Sequence, residues 1–106
     1  MIARIWRGTT DAARADEYLD YIRKTGLSDY ASTPGFRDVQ VLRRTREGLT
    51  RFTIISYWDS LEAIKAFAGD DPEAAHYYPE DDEYLVEREL AVEHHDVVET
   101  GPPLAS

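Results

Sequence analysis

The stretch FRDVQVLRRTREGLTRFTIISYW, residues 36–58, carries two alternating runs about a short turn. In the first run Val39 and Val41 share one face while Gln40 and Leu42 share the other. The second repeats the alternation around Ile54 and Ile55. Between them lies REG, a glycine-containing turn, so the pattern predicts an antiparallel hairpin. Upstream, STPGF at 32–36 is turn chemistry, with Pro34 and Gly35 separating the hairpin from what precedes it. Downstream, WDSLEAIKAFAG at 58–69 predicts a helix: Asp59 and Glu62 have capping-box spacing, Leu61, Ile64 and Phe67 share a face, and Gly69 ends it.

The remaining segments fit around this hairpin and helix. IARIWRG at 2–8 reads as a strand with Ile2, Arg4 and Trp6 on one side and Ala3, Ile5 and Arg7 on the other. TTDAARADEYLDYIRKTG at 9–26 predicts a helix capped by Thr10 or Asp11, with Ala15, Tyr18, Leu19 and Ile22 as its apolar stripe and Gly26 as its end. DDPEAAHYY at 70–78 predicts a third, short helix with Asp71 as cap, Pro72 at its first position and His76 near its end. ERELAVEHHDVVE at 87–99 alternates Leu90, Val92, His94 and Val98 against Ala91, Glu93, His95 and Val97, as a last strand would. Residues 1–99 form one domain, and 100–106 are expected to be a disordered tail. The element order is that of a ferredoxin-like βαββαβ fold, α+β in class, whose two helices cover one face of a four-stranded antiparallel sheet. The other face needs a cover as well. A second copy in a two-fold homodimer supplies it, with Val92 to Val98 at or near the contact.

Composition removes several functions. The chain has 106 residues with 21 acids against 12 lysines and arginines, a formal net charge of -9. Nucleic acid and anionic membrane surfaces both need clustered cations, so neither is an expected partner. There is no cysteine, which rules out disulfides, thiolate catalysis and cysteine-based zinc sites. No apolar run has the length to span a bilayer, and the opening residues carry no secretory pattern, so a soluble cytoplasmic protein is the expectation. No serine-histidine-acid arrangement, phosphate loop or redox motif is present.

Tyr57 and Trp58 closing a strand, followed by a capped helix with Glu62, Ala63 and Phe67, and a histidine further on, resemble the antibiotic biosynthesis monooxygenase family of dimeric α+β barrels over residues 1–99. The resemblance implies a homodimer with a small apolar pocket in each subunit. Some members oxygenate aromatic polyketides or quinols without cofactor or metal, the reduced substrate supplying electrons to dioxygen; others bind and degrade haem. His76 stands where the haem-degrading members carry their iron ligand. The haem pattern also carries a tryptophan at the place of Phe67 and an asparagine about at that of Arg7.

Three candidates for catalysis follow: His76, Tyr78 and Arg7. Arg7, with Arg4 and Trp6 on the same strand, offers a cation beside an apolar cavity, suited to a phenolate or enolate. Trp6, Trp58, Phe67, Tyr77 and His94 are candidates for contact with a small aromatic or quinone-like ligand. Each also has a structural reading: His76 as a solvated histidine, the tyrosines as core and rim, His94 as a satisfied strand residue. His94 and His95 face opposite sides of a strand and do not share a metal. The acids of PEDDE, residues 79–83, lack the spacing of a calcium loop and read as a solvated run. Three functions stay open: a cofactor-independent monooxygenase, a haem-degrading one acting through His76, and a binding or accessory protein without catalysis.

Overall fold

A computed structural model describes residues 1–102. The expected disorder of 100–106 therefore falls mostly outside the described residues. The predicted hairpin forms from β2 (Phe36–Arg46) and β3 (Leu49–Trp58), joined by Glu47 and Gly48, both at positive φ. Two successive positive φ values match the right-handed twist of the flanking strands, which is why so short a connection closes the hairpin here. β1 (Ile2–Asp11) pairs antiparallel with β3 in a register that sets Arg4 opposite Ser56, Ile5 opposite Ile55 and Trp6 opposite Ile54. The sheet runs in the order β2, β3, β1, and then β4 (Leu85–Arg88), with β5 (Glu93–Asp96) also pairing with β1. The fold class is the expected one, an α+β ferredoxin-like domain with an antiparallel sheet.

The final strand is divided. β4 pairs with the second half of β1 and β5 with its first half, and the chain bulges out between them, leaving Leu90 at 81% exposure. Val92 is buried while Val98 is exposed, so the single expected strand does not keep one continuous face.

The first helical region also departs from its pattern. β1 continues through Thr10, which is fully buried, and a 3-10 turn at Ala12–Arg14 leads into α1 (Ala15–Lys24). Neither Thr10 nor Asp11 caps with its side chain. Gly26 does not end the helix but opens a second one, α2 (Gly26–Ala31). The break is at Thr25, whose backbone N–H and hydroxyl both return to the Tyr21 carbonyl, the hydroxyl at 2.8 Å. Helical periodicity survives this bend, so Tyr18, Ile22 and Tyr30 all reach the core.

α3 (Leu61–Ala68) is capped by Ser60, whose side chain accepts from the Ala63 N–H at 3.2 Å, and not by Asp59. Asp59 is drawn away by Arg37, with which it forms a salt bridge. Gly69 ends α3 at φ 87, as expected.

The predicted third helix does not form. The Asp71 carboxylate accepts from the Glu73 N–H at 3.3 Å in a local turn, and the chain then runs beside the bulge of the last strand. Ala75 N–H donates to the Leu90 carbonyl at 2.9 Å and Val92 N–H to that of Glu73 at 2.8 Å. Pairing across the sheet edge outcompetes the local preference of EAAH for helix. The next helical turn is α4 (Asp81–Tyr84), inside the acidic run.

Pairing register sorts the sheet into two faces. Trp6, Gly8, Phe52, Ile54 and Trp58 lie under α1, α2 and α3, where the aromatic core forms. Ala3, Ile5, Ile55, Tyr57 and Leu42 lie on the reverse, which no element among the described residues covers. This leaves a stripe of apolar side chains between charged margins.

Candidate functional site

A cleft of about 390 Å³, its mouth included, opens between the helices and the sheet. β1 and β3 supply Arg4, Trp6 and Ile54 to its floor; α1, α2 and their junction supply Tyr18, Ile22, Thr25, Gly26 and Tyr30 to one wall. Phe67 closes it from α3, and the segment after α3 brings His76, Tyr78 and Asp81 across the top. The walls are mostly aromatic, with a few polar groups converging, as in small-molecule sites generally.

Strand parity chooses between the two arginines. Arg4 shares the helix-side face with Trp6, is 2% exposed, and lies with its guanidinium carbon 5.5 Å from the Phe67 ring centre. Arg7 faces the other way. It pairs with Glu93 at 2.5 Å and Glu89 at 3.7 Å on the uncovered face, so it is not part of the cleft. The alternation of IARIWRG already grouped Arg4 with Trp6, and that signal identifies the arginine of the cleft.

The Trp6 indole packs against Gly8. A Cβ at Gly8 would sit 2.4 Å from the indole, so the absence of a side chain there lets the ring form the floor. Phe67 meets His76 at 5.3 Å between ring centres, and His76 meets Tyr78 edge-on at 4.9 Å. His76 is exposed and stands at the mouth. The Tyr78 hydroxyl donates to the Asp29 carboxylate of α2, and its burial, then that partner, push the phenol well above the ordinary tyrosine range.

Asp81 does not belong to a solvated run, although its sequence neighbours suggest one. It is 4% exposed and accepts twice, from the Tyr18 hydroxyl at 2.8 Å and from the Tyr78 N–H at 2.6 Å. It thus fastens the segment carrying His76 and Tyr78 to α1. Four consecutive acids contain no sign of which one turns inward, because the choice depends on where Tyr18 sits.

The other candidates border the cleft or stand apart from it. Tyr77 stacks edge-on against Trp6 at 6.1 Å and its hydroxyl donates to the Glu89 carbonyl, outside the cleft. Trp58 is fully buried, donating to the Ser56 hydroxyl at 2.9 Å, and is core. His94 lies opposite Arg4 on β5, with its Nε2 buried and unpaired. Burial and then the neighbouring Arg4 lower its pKa. His95 points to the reverse face, as the alternation requires. Among the described residues no group of three or more His, Asp or Glu side chains is placed to hold a metal ion. No helix there is long and apolar enough to cross a membrane.

His76 could hold a haem iron, but the Trp6 indole and the Tyr30 and Phe67 rings fill what lies behind it. These rings meet closely enough that the cleft has no room to enclose a porphyrin.

Fold and cleft together define a split-βαβ domain with a small, mostly aromatic cleft between its helices and one face of its sheet. The antibiotic biosynthesis monooxygenase family model matches residues 1–76, and the chain belongs to that family. Among solved structures, a putative antibiotic biosynthesis monooxygenase from Bacillus cereus is similar at 17% identity and TM-score 0.66, covering 99% of this chain and 98% of that one. The haem degrader MhuD from Mycobacterium tuberculosis, with two haems in its active site, is similar at 22% identity and TM-score 0.57, covering 96% and 100%. An MhuD variant with two manganese protoporphyrin IX per active site gives 22% and 0.62 over 97% and 100%. At such identities these likenesses carry the fold alone. Among curated proteins nothing matches.

Proposed function

We propose that this protein is a homodimer that binds a small aromatic or quinone-like molecule in the cleft of each subunit and oxygenates it without a cofactor. The observation that carries this reading is the cleft itself: Trp6, Phe67 and Tyr30 offer ring faces and edges, and the polar groups among them are few and fixed. The reaction balances without an added reductant. A ring CH₂ activated by a carbonyl across the ring, as in an anthrone, becomes C=O by taking one atom of dioxygen, while its two hydrogens leave with the other as water. All the electrons come from the substrate.

In this reading Trp6 and Phe67 hold the ring and exclude water. His76 at the mouth takes the proton from the ring carbon and passes it to solvent, a general-base step worth ~10²–10⁴-fold in rate. Tyr78, tied to Asp29, keeps His76 in place. Oxygen uptake with a panel of quinols and anthrone-type phenols tests the proposal. Turnover above the uncatalysed rate that falls at least about 100-fold in His76→Gln is the expected result. Thermal stabilisation by these ligands with no oxygen uptake would replace the enzyme with a binding protein.

Haem degradation is the competing reading, because His76 is available as a ligand. The narrow cleft predicts no Soret shift on adding haemin. A shift that His76→Ala removes would overturn the aromatic-substrate reading.

A further inference from the structure

Arg4 has no counter-charge among the described residues: it is 2% exposed, yet no carboxylate there lies within 4 Å of its guanidinium. One of its N–H groups reaches the Ala74 carbonyl at 3.3 Å, and its Nε is buried with no partner at all. A buried charge without a partner is costly, and arginine does not escape the cost by losing its proton. Asp81 shares the cleft but forms no salt bridge with Arg4, and its two oxygens accept instead from Tyr18 and Tyr78. His94, across from Arg4, can only add positive charge, and Tyr30 beside it is kept as a neutral phenol by burial.

We propose that the cleft takes its aromatic ligand as an anion, a phenolate or aryl carboxylate, and that the ligand's negative oxygen is the missing partner of the Arg4 guanidinium. The inference rests on the aromatic-ligand reading above and narrows it to one charge state. Arg4 lies on the floor beside Trp6, so a ring held between Trp6 and Phe67 presents its substituent to the guanidinium and its opposite edge to His76. Most of the chain's acids lie at the surface; Asp81 is the one carboxylate among the described residues that lines the cleft, and it is held in the roof by Tyr18 and Tyr78, whereas the floor carries the Arg4 guanidinium.

A spectroscopic test separates the charge state from any reaction. 4-Nitrophenol, whose phenolate is yellow, and 4-nitroanisole, which cannot ionise, are titrated separately into wild type, Arg4→Lys and Arg4→Met. Wild type is expected to bind the phenol as its phenolate, shifting the absorbance toward yellow, at least tenfold more tightly than the anisole. Arg4→Lys is expected to keep part of that preference and Arg4→Met to lose it. Arg4→Met should fold, since a well-packed apolar side chain in place of an unpaired buried charge is neutral or stabilising; its melting temperature is measured alongside. Equal affinity for the two probes, binding of the phenol in its neutral form, or an unchanged preference in Arg4→Met would overturn the counter-ion role while leaving the aromatic cleft standing. Failure of both probes to bind at millimolar concentration would overturn the cleft reading and this inference together.

Discussion

Asp81 shows how much one side chain holds in this domain. Its two oxygens satisfy a buried phenol on α1 and a backbone N–H in the segment that roofs the cleft. Removing both acceptors leaves the Tyr18 hydroxyl buried without a partner, so Asp81→Ala is expected to cost about 2–4 kcal/mol, and Asp81→Asn less, because it keeps one acceptor. Urea melts followed by tryptophan fluorescence measure this. His94 gives the second residue-scale prediction. Its imidazole faces Arg4 on β1, with Glu73 and His95 as its other charged or titratable neighbours. Burial, then Arg4, lower its pKa, so in the folded protein it resists protonation. Below its ordinary value near 6.5 the unfolded chain binds more protons than the native one, and stability therefore falls as pH drops from about 7 toward 5.5. His94→Gln should flatten that slope. A slope unchanged by the substitution would show that His94 is not its source.

At the scale of elements, two short devices set where the helices stand against the sheet. Ser60 caps α3, and Ser60→Ala should cost about 1 kcal/mol. Gly35 sits at φ 89 where the chain turns into β2, and a Cβ there would come within 2.5 Å of the Ala63 Cβ. Gly35→Ala is thus both strained and obstructed. It should push α3 away from the sheet, cost at least about 1 kcal/mol, and weaken aromatic binding because Phe67 moves with α3. Differential scanning calorimetry and ligand titration on the same variant check the two consequences together. The roof of the cleft has a different origin. Residues 73–75 are held by hydrogen bonds to the bulged edge strand, a long-range pairing that a cap and a proline at 71 and 72 do not reveal.

On the scale of the whole molecule, the uncovered sheet face is the surface on which the proposed homodimer would form. Ile5, Ile55 and Leu42 project from it, flanked by Arg44 and Arg51 on the β2–β3 side and Glu87 and Glu93 on the opposite edge. An apolar middle with charges of opposite sign on its two sides can match itself when a second copy is turned about a two-fold axis. Sedimentation at micromolar concentration is expected to give about twice the 12.1 kDa of the chain. Ile55→Glu on that face should dissociate the pair. A folded wild-type monomer would remove the homodimer from the proposed function.

The order of elements, the hairpin, the α3 segment and the grouping of Arg4 with Trp6 on one strand face were legible in the sequence, since each follows from period-2 or period-3.6 spacing with local turn residues; that this face, and not that of Arg7, turns inward was not. The family resemblance, too, rested on residues adjacent in the chain. What spacing could not give was the choice of Asp81 from four consecutive acids, the extended path of 73–78, or the division of the last strand into β4 and β5. Those depend on partners far away in sequence: Tyr18 for Asp81, and the bulged edge strand for the cleft's roof. Local pattern fixes which face of an element is apolar, but a buried polar group goes where its hydrogen-bond partner is, and only the assembled tertiary structure brings that partner within reach.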